Sequence, residues 1–324
     1  MNIAGERRYP VPPLPVPEAG ALDDATEVPA MTLFAQRAQA VRPAFSIAAA
    51  NRDAVGELCR RLDGLPLAIE LAAARVTVLT PAAMVARLSD RFTVLAGGPR
   101  DAPARLRSMR DTIGWSYDLL SAEEQRLFRC LSVFVGGFSL DAVEAVWTRT
   151  GDASPDTLTG ITSLVDKSLV QPVDVVAGAP RFTMLETIRE YGQERLVASG
   201  EEAAVRDRHA TWCVSLKDDI PSLFDPTRQI SSVDRVEAEH ANIRVALAWL
   251  ESSQRTLDLA TLVIALRWHW QLAGHQTEGL TWYKRLIADR SVLDPLVSCD
   301  ALRLAGLLAQ VLGDPSAQTY LEDA

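Results

Sequence analysis

Few side chains in this sequence could carry out chemistry, and their spacing decides which kinds are open to them. There are four histidines (His209, His240, His269, His275), four cysteines (Cys59, Cys130, Cys213, Cys299) and three lysines (Lys167, Lys217, Lys284). Zinc and redox sites use closely spaced cysteines. Here each cysteine stands more than 70 positions from the next, so buried free thiols are expected. His269 and His275 are six apart, a separation that does not share a helix face, and Gly274 intervenes. No metal site is expected from them. No G-x-S-x-G elbow presents a nucleophilic serine. No glycine-rich loop ending in Lys-Ser/Thr is present to cradle phosphates, and none of the lysines follows a glycine. No catalytic residue is therefore assigned.

These groups sit in a chain of 324 residues, 48% apolar and 23% charged. That composition suits two or three globular domains. It excludes collagen, a disordered tail and a disulfide-dense miniprotein. No uninterrupted apolar run reaches the ~18 residues that span a bilayer, and Met1–Pro10 lacks the apolar core of a secretory signal. A cytoplasmic protein with no membrane association is expected. The net charge is −9, distributed as +2 over residues 1–112, −5 over 113–199 and −6 over 200–324. Nucleic-acid binders show a basic footprint, and only the first third is even mildly basic.

The elements that must position these residues are mostly helical. Pro10, Pro12, Pro13, Pro15 and Pro17 make residues 1–25 an extended linker or strap. Helical periodicity runs from Thr26 to Pro43. A second helix is expected with its cap at Asn51 and a stripe of Ala54, Val55, Leu58, Cys59 and Leu62. Asp63-Gly64 breaks it, and Pro66 opens a helix expected to run through Leu79. Thr80-Pro81 starts another, and Gly97-Gly98-Pro99 closes the segment. From Asp111 the pattern changes. Ser121 and Glu124 form a capping box, Gly136-Gly137 a turn, and Ser139 and Asp156 cap two further helices. The period then switches to two over 168–173 and 181–185, with a hairpin loop at 177–180. Three helices followed by a hairpin is the order of a winged helix. A helix over 186–198 ends at Gly200. Beyond it, helices are expected over 203–218, 233–251, 256–272, 277–288 and 301–312. Leu266-x3-Trp270-x3-Gly274 followed by Glu278-Gly279-x2-Trp282-x3-Leu286 fits a helical pair of loosely tetratricopeptide pattern, with Gly279 where the helices cross. Trp249, Trp268, Trp270 and Trp282 are expected to pack between helices.

The run Glu57 to Arg75 contains Gly64-Leu65-Pro66-Leu67-Ala68. It resembles the GLPLA segment of STAND-class, NB-ARC-like nucleotide switches in bacterial transcriptional regulators of the LuxR and SARP types. Further matches follow in the family's order. Gly5-Glu6 with Val11–Pro15 resembles its strap, and Thr112–Leu120 the start of its winged helix. Met184–Tyr191 sits where the family carries its MHD-type motif, and Glu239–Leu247 resembles its first superhelical repeat. The resemblance implies a mainly α fold with four parts: a Pro-rich strap (1–25), a helical ARC-like lid domain (26–111), a winged helix with a β-hairpin wing (112–200) and an incomplete tetratricopeptide-like solenoid (201–324). It places Gly64, Leu65 and Pro66 on the adenine side of a nucleotide, and Leu185 and Glu186 at the MHD-like position.

The family's phosphate-binding elements have no match. There is no P-loop and no Walker B, and Leu185 stands where the family has its histidine. Phosphoryl transfer depends on such positioning groups. The expectation is a non-enzymatic regulatory and interaction portion of a STAND-type transcriptional regulator, requiring no cofactor and binding ADP or ATP at most weakly. Its partners would be proteins docking on the C-terminal helical repeats, with a small-molecule or nucleotide effector as a further candidate. One alternative is a piece of a longer nucleotide-dependent ATPase. Another is direct DNA binding by the winged helix. Its would-be recognition helix, Asp156 to Lys167, contains no arginine, which disfavours nucleic-acid contact.

Overall fold

A computed structural model describes residues 12–18, 28–87, 109–147, 156–176, 179–219, 229–288 and 293–324. Gly5-Glu6, Gly97-Gly98-Pro99 and the centre of the hairpin loop lie outside the described residues. The chain divides into two compact units. The first comprises 1–121 with 185–191, and the second 122–184 with 192–324. These units cut across the sequence boundaries drawn at 112 and 200.

The first unit is helical. α1 (Pro29–Val41), α2 (Ala49–Arg61), α3 (Pro66–Ala73) and α4 (Pro81–Arg87) precede α5 (Met109–Asp118). α1 and α3 begin on prolines, whose missing N–H would be unpaired there anyway. Met31, Phe34, Val55, Leu58, Ile69 and Met84 are fully buried. Asn51 is not the cap of α2. It is the third helical residue, and its Oδ1 reaches back to accept from the Ala48 N–H at 2.9 Å. The expected helix to Leu79 is shorter, because after Ala73 the chain tightens into a 3-10 turn over Ala74–Thr77. Thr80 Oγ1 caps α4 by accepting from the Ala83 N–H.

The second unit opens with α6 (Ala122–Leu131), β1 (Phe138–Ser139), α7 (Leu140–Val146) and α8 (Thr157–Asp166). The caps read from sequence operate: Ser139 Oγ accepts from the Ala142 N–H at 3.2 Å, and Asp156 Oδ1 from the Thr159 N–H at 2.7 Å. β2 (Gln171–Val176) and β3 (Ala179–Thr183) form the hairpin. β1 adds a third strand that the period-two signal missed, since two residues carry no periodicity. The order is β1-β3-β2, antiparallel, with Phe138 opposite Phe182 and Ser139 opposite Arg181. Pro172 sits on edge strand β2, where proline is tolerated.

α9 (Glu186–Ser199) follows and ends at Gly200 with φ +73°. Then come α10 (Glu202–Ser215), α11 (Gln229–Ala238), α12 (His240–Ser252), α13 (Thr256–Ala265), α14 (Arg267–Leu272), α15 (Gln276–Ala288), α16 (Pro295–Leu312) and α17 (Ala317–Glu322). Two helices expected as continuous are broken, at Glu239 and at the fully buried Leu266. Gly279 lies against Trp270, where a Cβ would meet the indole at 2.5 Å, so the close helix crossing requires glycine. Trp270 and Tyr283 are fully buried and both donate to the Val263 carbonyl. Trp249 instead donates to Asp207 and lies beneath Arg206.

α16 is the one described helix long and apolar enough, by length and composition, to cross a membrane, with mean hydropathy 1.4. Asp300 and Arg303 interrupt the apolar run and pair with each other, while Leu302, Leu304 and Leu308 pack inside the array.

Candidate functional site

The GLPLA loop is built by a left-handed pair, Asp63 (φ +54°) and Gly64 (φ +64°), that ends α2 and launches α3. Residues 12–18 run beside it. The Leu14 N–H donates to the Gly64 carbonyl at 3.0 Å, and Arg60 Nη1 donates to the Pro17 carbonyl at 3.2 Å. A Cβ on Gly64 would meet the Leu14 carbonyl oxygen at 2.2 Å. Gly64 is therefore buried under the strap, Leu65 is half-buried, and Pro66 is exposed at the start of α3.

Leu185 and Glu186 belong to the same compact unit as the GLPLA loop. The Glu186 carboxylate is taken by Arg189 one turn further on, at 2.5 and 2.8 Å. A cleft of about 400 Å³ in this unit is lined by Arg42, Phe45, Asn51, Val76 and Thr80, and includes none of Gly64, Leu65 or Pro66.

In the second unit, α8 packs across α6 with Gly160 against Leu127. Lys167, the one basic residue expected on α8, donates to the Glu124 carboxylate, which also accepts from the Ser163 hydroxyl. Arg126 and Arg129 on α6 both reach Glu201. On the wing, Arg181 is only 6% exposed and pairs with Glu239. Its Nη2 also donates to the Ala238 carbonyl at 3.1 Å. Asn242 completes this clamp. Its Oδ1 accepts from the Val135 N–H at 2.7 Å, and its Nδ2 donates to the Gly137 carbonyl at 2.9 Å and to Glu239 at 2.7 Å. Glu239 and Asn242 thus tie the junction of α11 and α12 to the sheet.

Residues 120–197 match a family described as a winged helix-turn-helix domain. The order α6-β1-α7-α8-β2-β3, with its three-stranded sheet, agrees. These residues form a winged helix. A protein of Mycobacterium tuberculosis named "Putative HTH-type transcriptional regulator" is 42% identical over 291 residues, covering 90% of this chain and 31% of its own length. An uncharacterized protein of the same organism is 41% identical over 210 residues, covering 64% of this chain and 51% of its own. The chain thus spans about a third of the first relative. A STAND protein with a tetratricopeptide repeat sensor from Pyrococcus horikoshii overlies 91% of this chain and 40% of its own, at 14% identity. Its TM-score of 0.33 is too low for any inference from that likeness.

Beyond the winged helix, the structure gathers histidines that sequence spacing separated. Gly274, at φ +84°, turns the chain between α14 and α15 and carries His275 back onto His269, with ring centroids 4.9 Å apart. His240, at the start of α12, stacks on His275 at 3.9 Å. Burial, and then the neighbouring His240 and His275, push the His269 imidazole down to about 4. Burial and His275 lower that of His240 as well. Sequence spacing gives no link between His240 and this pair, because His240 comes from a different helix 29 and 35 positions earlier. His209 stands apart, buried against Phe134 and Trp212. Burial raises the Cys59 and Cys130 thiols to about 12, so both are inert.

Proposed function

We propose that this chain is a regulatory, non-catalytic portion of a STAND-type, LuxR/SARP-like transcriptional regulator, in which the winged helix works by packing within the protein. The observation that carries this reading is that Lys167 and Arg181 are each paired with a carboxylate of the protein. DNA binding draws on cations on the recognition helix and wing. Here Lys167 on the recognition helix faces Glu124, and Arg181 on the wing is buried against Glu239. The −5 charge over residues 113–199 favours the same reading. Protein partners meet the C-terminal helices, where Leu307, Val311 and Leu321 are exposed. Nucleotide, where it binds, touches Pro66 through adenine only, and this chain does not hydrolyse it. The setting is cytoplasmic.

A gel-shift titration of the full chain on duplex DNA at low salt tests the reading. No retardation is expected. Retardation that weakens steeply with added salt would overturn it in favour of DNA binding.

A further inference from the structure

One constellation in the second unit plays no part in that function. Glu237 in the last turn of α11, His240 at the start of α12, His269 on α14 and His275 before α15 each offer one donor atom. These four atoms lie within 4.8 Å of one another. His240 Nδ1 is 2.9 Å from His269 Nε2. Glu237 Oε2 is 3.1 Å from His275 Nε2 and 3.7 Å from His269 Nε2. Ligands placed about 2.05 Å from a tetrahedral zinc ion stand about 3.3 Å apart. The observed separations fall on both sides of that value.

We propose that Glu237, His240, His269 and His275 form a site for a divalent first-row transition-metal ion, with zinc the best fit to three imidazoles and one carboxylate. The surroundings supply what such a site needs. Glu278 stands 3.3 Å from the other ring nitrogen of His240, Nε2. This is an ion-pair contact and not a hydrogen bond, since His240 Nε2 has no hydrogen-bond partner, and the nearby carboxylate favours positive charge at the cluster. Glu278 is itself held by Arg244 through three contacts of 2.6 to 3.0 Å. His269 is 4% exposed, and Nε2 is the ring nitrogen it turns toward His240 and Glu237.

Four protein ligands close the coordination shell, which makes the site structural rather than hydrolytic. The ion would fasten the α11–α12 junction to the α14–α15 turn. His240 lies between Glu239 and Asn242, the two residues that hold the sheet. Metal occupancy would therefore stiffen the same junction that holds the wing.

The test titrates zinc chloride into the full chain by calorimetry. It uses a Cys299→Ser background, because Cys299 is the half-buried thiol. Cobalt absorption reports the geometry in parallel. One ion per chain is expected, with the intense visible bands of tetrahedral cobalt and a zinc-dependent rise in melting temperature. His275→Gln and Glu237→Gln are each expected to weaken binding by about tenfold or more. Both positions reach solvent, with side chains 24% and 49% exposed, so both variants keep the fold. Glu251→Gln, whose carboxylate pairs with Arg285, is expected to leave binding unchanged. Absence of zinc binding by the folded chain overturns the proposal, and so does binding that neither His275→Gln nor Glu237→Gln weakens.

Discussion

Arg181 on the wing strand and Glu239 at the junction of α11 and α12 form a buried ion pair, with side chains 7% and 3% exposed. Asn242 ties the Glu239 carboxylate onward to the Gly137 carbonyl and the Val135 N–H. Removing one partner of a buried pair orphans a charge. Glu239→Ala is therefore expected to cost about 3–5 kcal/mol, read as a lower urea midpoint. The double variant Arg181→Met with Glu239→Leu is expected to cost less, because it leaves no charge unpaired.

Gly279 is a packing requirement. A Cβ there would meet Trp270 Cβ and Cγ at 2.8 and 2.5 Å, and Trp270 is fully buried with no room to retreat. Gly279→Ala is expected to destabilise the array by about 1–3 kcal/mol, measured by thermal or urea unfolding. A substitution at Gly200, where nothing stands within 4 Å of the Cβ position, is expected to act through its φ of +73° alone.

Gly64 answers both a conformational and a steric demand. Gly64→Ala places a Cβ 2.2 Å from the Leu14 carbonyl oxygen in a left-handed conformation. The strap is expected to lift, at about 1–3 kcal/mol. Hydrogen exchange at the Leu14 amide, bonded to the Gly64 carbonyl in the native fold, should accelerate. Unchanged protection at Leu14 would show that the strap is held elsewhere.

His209 makes stability depend on acid. Burial holds its imidazole down to about 4, against about 6.5 unfolded, and it is 1% exposed. Above pH 6.5 neither state binds the proton. As pH falls below 6.5 the unfolded chain takes it up while the native fold does not, so stability declines until about pH 4. The full loss is about 3 kcal/mol. Urea unfolding at pH 7 and pH 4.5 measures it. His209→Gln should lose less stability over that range than the wild type, and the difference isolates this residue from the His240 cluster.

Local rules recovered much of the architecture. Thr80, Ser139 and Asp156 cap their helices because a hydroxyl or carboxylate one residue before the first turn can reach the free N–H groups wherever the helix sits in the fold. Gly64-Leu65-Pro66 was legible for the same reason, since a left-handed glycine followed by a proline writes a helix break locally. Those three residues fall in one compact unit with Leu185 and Glu186.

Other features depended on contacts far apart in sequence. β1 is two residues long and exists only because β3 pairs with it, Phe138 with Phe182 and Ser139 with Arg181, from more than 40 positions away. The breaks at Glu239 and Leu266 interrupt continuous helical periodicity, and Glu239 is spent on Arg181 rather than on extending a helix. The histidine cluster joins His240 to residues 29 and 35 positions later. A donor set drawn from separate helices and a turn leaves no spacing to read, because its geometry arises only when the helices pack. By itself the sequence determined the caps, the glycine turns and the mainly helical, winged-helix order, all of which rest on neighbours within one or two turns. Tertiary structure alone decided that Lys167 and Arg181 each pair with a carboxylate distant in sequence and that three histidines and a glutamate meet, since both follow from which elements touch.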